Sequence, residues 1–166
     1  MNIDGHLPGT CAALGNTGRV LAVRMGPGED VLDAMTRIVE RAGIRAGIII
    51  SGVASLTQLT VRNIHRIPTE PPITTADRHV TTVPGPLEVL SVQGNLAWTP
   101  EGELIVHCHL DASVGDPATH TFGGHLVEGT IVATTLELFI LEVTGASIER
   151  VVDPATGTPE LAIAPE

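Results

Sequence analysis

The chain has 166 residues, a mass of 17.3 kDa and 43% hydrophobic content, enough for one domain with its own core and too little for two. Nine basic residues stand against nineteen acidic ones for a net charge of −10, and every basic residue is arginine. Without lysine there is no Schiff-base or pyridoxal-phosphate chemistry and no P-loop. The acidic balance, with Trp98, Phe122 and Phe139 as the aromatics, argues against a broad nucleic-acid face or a base-stacking platform.

Cys11 and Cys108 are too few for a disulfide framework. The N-terminus lacks a basic segment followed by an apolar run, and no apolar stretch is long enough for a membrane span, so a cytoplasmic protein is expected. A mean hydropathy of +0.27 is high for a lone soluble domain and suits a subunit that buries surface against copies of itself.

In chain order, residues 1–18 read as a flexible arm rich in Gly, Pro and Thr. Arg19 to Met25 reads as a strand and Gly26-Pro27-Gly28 as a turn. Val31, Leu32, Met35, Ile38, Val39 and Ala42 then recur at helical spacing. Glu29, Asp30 and Asp33 place negative charge at the start of that helix, where its dipole favours it, and Gly43 suits its end. Further strands are expected at 46–56, 58–64, 87–98, 103–110, 131–143 and 147–152. Proline-rich residues 65–86 are expected as a long loop. One principal amphipathic helix among six or seven strands predicts an α+β domain of mainly antiparallel sheet, over residues 19–161, with a tail at 162–166.

The strongest chemical signal is histidine. In Leu104-Ile105-Val106-His107-Cys108-His109-Leu110, residues two apart on a strand share a face, so His107 and His109 can converge while Cys108 points away. After an Asp-, Gly- and Pro-containing loop comes Phe122-Gly123-Gly124-His125, whose glycines permit tight turning and close approach. Three neutral imidazoles are a donor set for zinc or another divalent transition metal and leave a position open for water or substrate. His120 is an alternative ligand or a partner behind the ligands; His6, His65 and His79 are expected in solvated loops. The same histidines would equally serve as ordinary core residues of an assembly protein.

Glu88 alternates onto the same face as Leu90 and Val92, where apolar neighbours would raise its pKa and fit it for general acid–base work. Glu137 raises the same question less sharply. Arg24 and Arg62 lie on strands and can hold an anionic substrate or simply face solvent. No Gly-x-Ser-x-Gly elbow is present, which argues against a serine hydrolase.

Taken together, these pieces resemble the plants-and-prokaryotes-conserved (PPC) domain family. The resemblance runs through Arg24, Gly28-Glu29-Asp30, Ile49-Ile50-Ser51-Gly52-Val53-Ala54-Ser55-Leu56, Leu87-Glu88-Val89-Leu90-Ser91-Val92-Gln93-Gly94, the His107-Cys108-His109 strand and Gly123-Gly124-His125-Leu126. It implies an antiparallel α+β subunit assembled as a homotrimer, in a family whose bacterial members are often named DNA-binding proteins. In the plant members a separate AT-hook contacts DNA, and this chain has no Arg-Gly-Arg-Pro-like hook. The architecture is also similar to acetolactate decarboxylase, whose His-x-His strand and Gly-Gly-His segment hold zinc. That likeness implies metal at His107, His109 and His125. The convergent histidines, a carboxylate on an apolar face and the acidic charge point to small-molecule lyase or hydrolase chemistry, with Glu88 moving protons. The loop from Asp111 to Thr121 is longer than the usual family version and adds His120. A DNA-associated trimeric module and a non-catalytic assembly protein stand as alternatives.

Overall fold

The computed structural model describes residues 5–7, 10–70, 72–115 and 119–166, with residues 5–7 described by backbone alone. A short ribbon, β1 (Gly5–Leu7) with β2 (Thr10–Ala12), precedes β3 (Asn16–Met25), α1 (Val31–Ala42) and β4 (Ala46–Ile64). Next come β5 (Arg78–Trp98), β6 (Leu104–Val114) and β7 (His120–Leu126). The chain finishes with β8 (Ile131–Thr144), β9 (Ala146–Val152) and β10 (Pro159–Pro165).

The mainly antiparallel sheet and single α-helix match the sequence reading, but the sheet has eight strands rather than six or seven. Its order is β10-β9-β5-β6-β7-β4-β8-β3, and β4 also pairs with β5. Strands β4, β5, β6 and β7 therefore close into a ring of hydrogen-bonded neighbours. Closure requires bending, and bulges supply it: the register shifts between Leu56 and Gln58 in β4 and between Val89 and Ser91 in β5.

Four sequence expectations change. The arm expected over residues 1–18 carries β1, β2 and the first residues of β3. The separate strands at 46–56 and 58–64 are one strand, β4, with its bulge at the break. The expected loop 65–86 ends at Asp77, because Arg78–Pro84 pair residue by residue with Gln58–Ile64. Proline does not prevent this, since the neighbouring residues supply the ladder bonds. The expected tail is, through Pro165, part of β10, paired with β9.

Helix α1 forms where its spacing predicts. Asp30 caps it by accepting from the Leu32 and Asp33 N–H groups at 3.0 and 3.1 Å. Gly43 ends it at φ 65°, the left-handed conformation that favours glycine. Val31, Ala34, Met35 and Val39 turn inward against a core built from Met25, Leu56, Leu110, Leu136, Leu138 and Ile140. No helix among the described residues is long and apolar enough to cross a membrane.

Candidate metal centre

Strand β6 does what its alternation predicts. Cys108 and Leu110 are fully buried in the core, while His107 and His109 project from the opposite face. Burial pushes the Cys108 thiol up to about 12, so it is protonated and offers no ligand to that face.

The third histidine arrives by register. His125 on β7 lies opposite His109 on β6, and Arg62 on β4 lies opposite His125. One row across three strands thus reads Arg62, His125, His109. The Gly-Gly pair lies within β7 itself and not in a turn: a Cβ at Gly123 would overlap the Asp111 carboxylate, and one at Gly124 the Asn63 carboxamide. The Asn63 Nδ2 donates to the Gly123 carbonyl at 3.0 Å, which ties β7 to β4 beside His125.

The three rings have centroids 5.0 to 5.5 Å apart. One donor atom from each lies within 4.8 Å of the others. Nitrogens around tetrahedral zinc sit about 3.4 Å apart, given bonds of about 2.0–2.1 Å, so modest side-chain rotation closes the set. Desolvation, then the charge of Arg150, pushes His107 below its ordinary value. Desolvation, then the charge of Arg62, pushes His125 down to about 4. Both rings are therefore neutral at pH 7, the form in which imidazole binds a metal. The donor set fits a divalent transition metal.

The triad faces a cavity of about 670 Å³ lined also by Arg62, Arg78, Arg150, Asn63 and Glu160. That volume is in the range of small-molecule sites. Its walls come from the strands of the ring, from β9 and β10, and from Ile73 in the 65–77 segment. Arg66 and Asp77 pin that segment: the guanidinium donates to the Asp77 carboxylate at 2.6 and 2.8 Å.

Glu88 lies outside this cavity. It is exposed and pairs with Ser113, four residues along β6 from His109, about 13 Å at strand rise. The bulge after Val89 explains the discrepancy with simple alternation: Val92 is buried while Glu88 and Leu90 face outward. Glu137 is likewise exposed and pairs with Arg24 across β8 and β3. His120 is exposed at the start of β7, opposite Val114, and apart from the triad. His79 lies on β5 rather than in a loop.

Arg78, Arg150 and Glu160 join the site without a signal in local spacing. Each reaches it through pairing of distant segments, which one sequence does not disclose. Arg62 alone among the cavity's arginines was a candidate from its strand position.

The sequence matches the Plants and Prokaryotes Conserved (PCC) domain over residues 12–144. The chain belongs to that family. It is 33% identical over 147 residues to the bifunctional protein GlmU of a Synechococcus strain, covering 89% of this chain and 20% of that protein. This PCC chain thus spans about a fifth of the curated relatives it matches. Among solved structures, a hypothetical protein of Salmonella enterica superposes with a TM-score of 0.74 and 29% identity, covering 93% of this chain and 98% of that one. A metal-containing protein of Archaeoglobus fulgidus gives 0.73 at 22% identity, covering 92% and 99%.

Proposed function

We propose that this PCC-domain chain binds a divalent metal, zinc or a similar transition metal, through His107, His109 and His125, and acts there on a small molecule. The observation that carries the reading is the triad itself: three imidazoles from two paired strands converge on the wall of a cavity of about 670 Å³. The fold likeness to an archaeal protein described as metal-containing supports it. Three protein ligands leave an open position, and a metal so held polarises a bound oxygen or acidifies a bound water.

The protein groups around that position have assignable parts. Glu160 is the carboxylate of the cavity among the described residues, and its Oε1 accepts from the Thr158 hydroxyl at 2.6 Å. It takes the proton-carrying part that the sequence suggested for Glu88. Asn95, opposite His107 in the β5–β6 register, accepts from Arg150 and holds that guanidinium beside the site. A lyase or hydrolase reaction fits these parts.

Self-assembly, as a trimer, belongs to the same proposal. The single chain exposes 9480 Å², against about 7,800 Å² for a compact monomer of this mass. Ile48, Ile50, Val53, Leu90 and Phe139 account for part of the excess as exposed large apolar side chains. A solution mass equal to one 17.3 kDa chain would remove this part. Solved structures described as putative DNA-binding proteins share this fold at 19% and 20% identity, but a track for duplex DNA is disfavoured by the chain's charge of −10 and by arginines that line a concavity.

The test is elemental analysis of protein purified without chelator, beside His107→Ala, His109→Ala and His125→Ala. Near-stoichiometric metal, lost in each folded variant, is expected. Metal content unchanged by the substitutions would overturn the assignment.

A further inference from the structure

The cavity carries more positive charge than metal ligation requires. Arg62, Arg78 and Arg150 line it against a single carboxylate among the described residues, Glu160, in a chain whose net charge is −10. Three of nine arginines therefore gather at one concavity of an acidic protein.

Arg150 is 2% exposed. Its Nη1 donates to the Pro159 carbonyl at 3.0 Å and its Nη2 to the Asn95 side chain, both neutral acceptors. Its Nε has no partner among the described residues, and Glu160 stands 4.0 Å from Nη1. The buried charge is hydrogen-bonded but only weakly countered. Arg62 and Arg78 form no ion pair among the described residues. They stand on neighbouring strands, with Arg78 opposite Ile64, two residues from Arg62. Burial, and then the charge of Arg78, lowers the pKa of Arg62, so the two cations feel each other. Three like charges with one carboxylate, Glu160, beside them among the described residues leave a net positive field that an incoming anion neutralises.

We propose that the cavity's ligand is a small molecule bearing an oxyanion group, carboxylate or phosphate, gripped by Arg62 and Arg78 while another of its oxygens faces the three-histidine centre. Arg150, buried behind the same wall, adds its charge to theirs. Guanidinium forks match both oxyanions by paired N–H donation. The cavity, about 670 Å³, leaves room for the rest of a molecule larger than the anionic group. This proposal rests on the metal reading for the second contact only; the arginine grip is separable from it.

The experiment titrates cobalt(II)-loaded protein with malonate, with inorganic phosphate and with uncharged malonamide at constant ionic strength, following the visible cobalt spectrum. A saturable change with at least one anion and none with malonamide is expected, and the stronger anion identifies the oxyanion class. Arg62→Gln and Arg78→Gln should each weaken that response at least about tenfold, the scale of a lost charged hydrogen bond, with cobalt content unchanged. Malonamide binding as well as malonate, or arginine variants equal to the parent, would overturn the proposal. Failure to take up cobalt would count against the metal reading alone. Calorimetry of the same anions on metal-free protein then decides the grip: binding abolished in the doubly substituted R62Q/R78Q variant upholds it, and no binding to the parent overturns it.

Discussion

Asp30 joins the helix to the turn that follows the third histidine, and its removal should be costly. Its Oδ1 accepts from the Leu32 and Asp33 N–H groups of α1, at 3.0 and 3.1 Å. Its Oδ2 accepts from the Gly129 N–H at 2.6 Å, three residues beyond the end of β7. That turn is also held by Thr60 and Gln58, which donate to the Gly129 carbonyl at 2.9 and 2.8 Å. Loss of an N-cap costs about 1 kcal/mol, and loss of a hydrogen bond to a charged group about 1.5–3 kcal/mol. Asp30→Ala should therefore destabilise the protein by about 2.5–4 kcal/mol. Asp30→Ser keeps an acceptor for the helix but is too short to reach Gly129, so it should recover about 1 kcal/mol of that loss. Urea unfolding at one fixed protein concentration, followed by far-ultraviolet circular dichroism, measures both. A loss below about 1 kcal/mol for the alanine variant, or no recovery with serine, would refute the two-part account.

Two further outcomes follow from the same structure. Cys108 is buried and its thiol is pushed up to about 12, whereas Cys11 is half-buried; thiol titration of the native protein should count one group, and denaturant should release the second. Two rapidly reacting thiols in the native state would contradict the placement of Cys108. The Asp77 carboxyl is held at about 2 by the Thr74 backbone N–H, then the Arg66 guanidinium and the Thr74 hydroxyl. Because its folded pKa lies below the ordinary 3.8, the stabilisation is full above that value and is lost as pH falls toward 2. Asp77→Asn should flatten the decline of melting temperature over that window, leaving the share of Glu142, held at about 2 by Arg19. Equal acid slopes in parent and variant would count against it.

Local pattern made part of this molecule readable. The α1 spacing, its acidic start and Gly43 need only neighbours within one turn to be interpreted, and the His-x-His strand needs only alternation. What alternation cannot express is a bulge. One extra residue after Val89 reverses the facing of everything beyond it, so alternation counted back from Val92 puts Glu88 on the wrong side. Strand β7 was hidden because Gly123 and Gly124 have no side chain to pattern; their place is set by the Asp111 and Asn63 side chains lying over them. The first half of β5 was hidden by its prolines. Arg150 and Arg78 acquire meaning only when β9 and β5 bring them to the histidines, a consequence of pairings between segments far apart in sequence.

The most direct test of the metal centre is anomalous diffraction from crystals of zinc-loaded protein, recorded on both sides of the zinc absorption edge. One strong peak per chain is expected, about 2.0–2.1 Å from a ring nitrogen of each of His107, His109 and His125, facing the arginine-lined cavity. A zinc peak bound by other residues, or three histidines with no peak between them at saturating zinc, would contradict it.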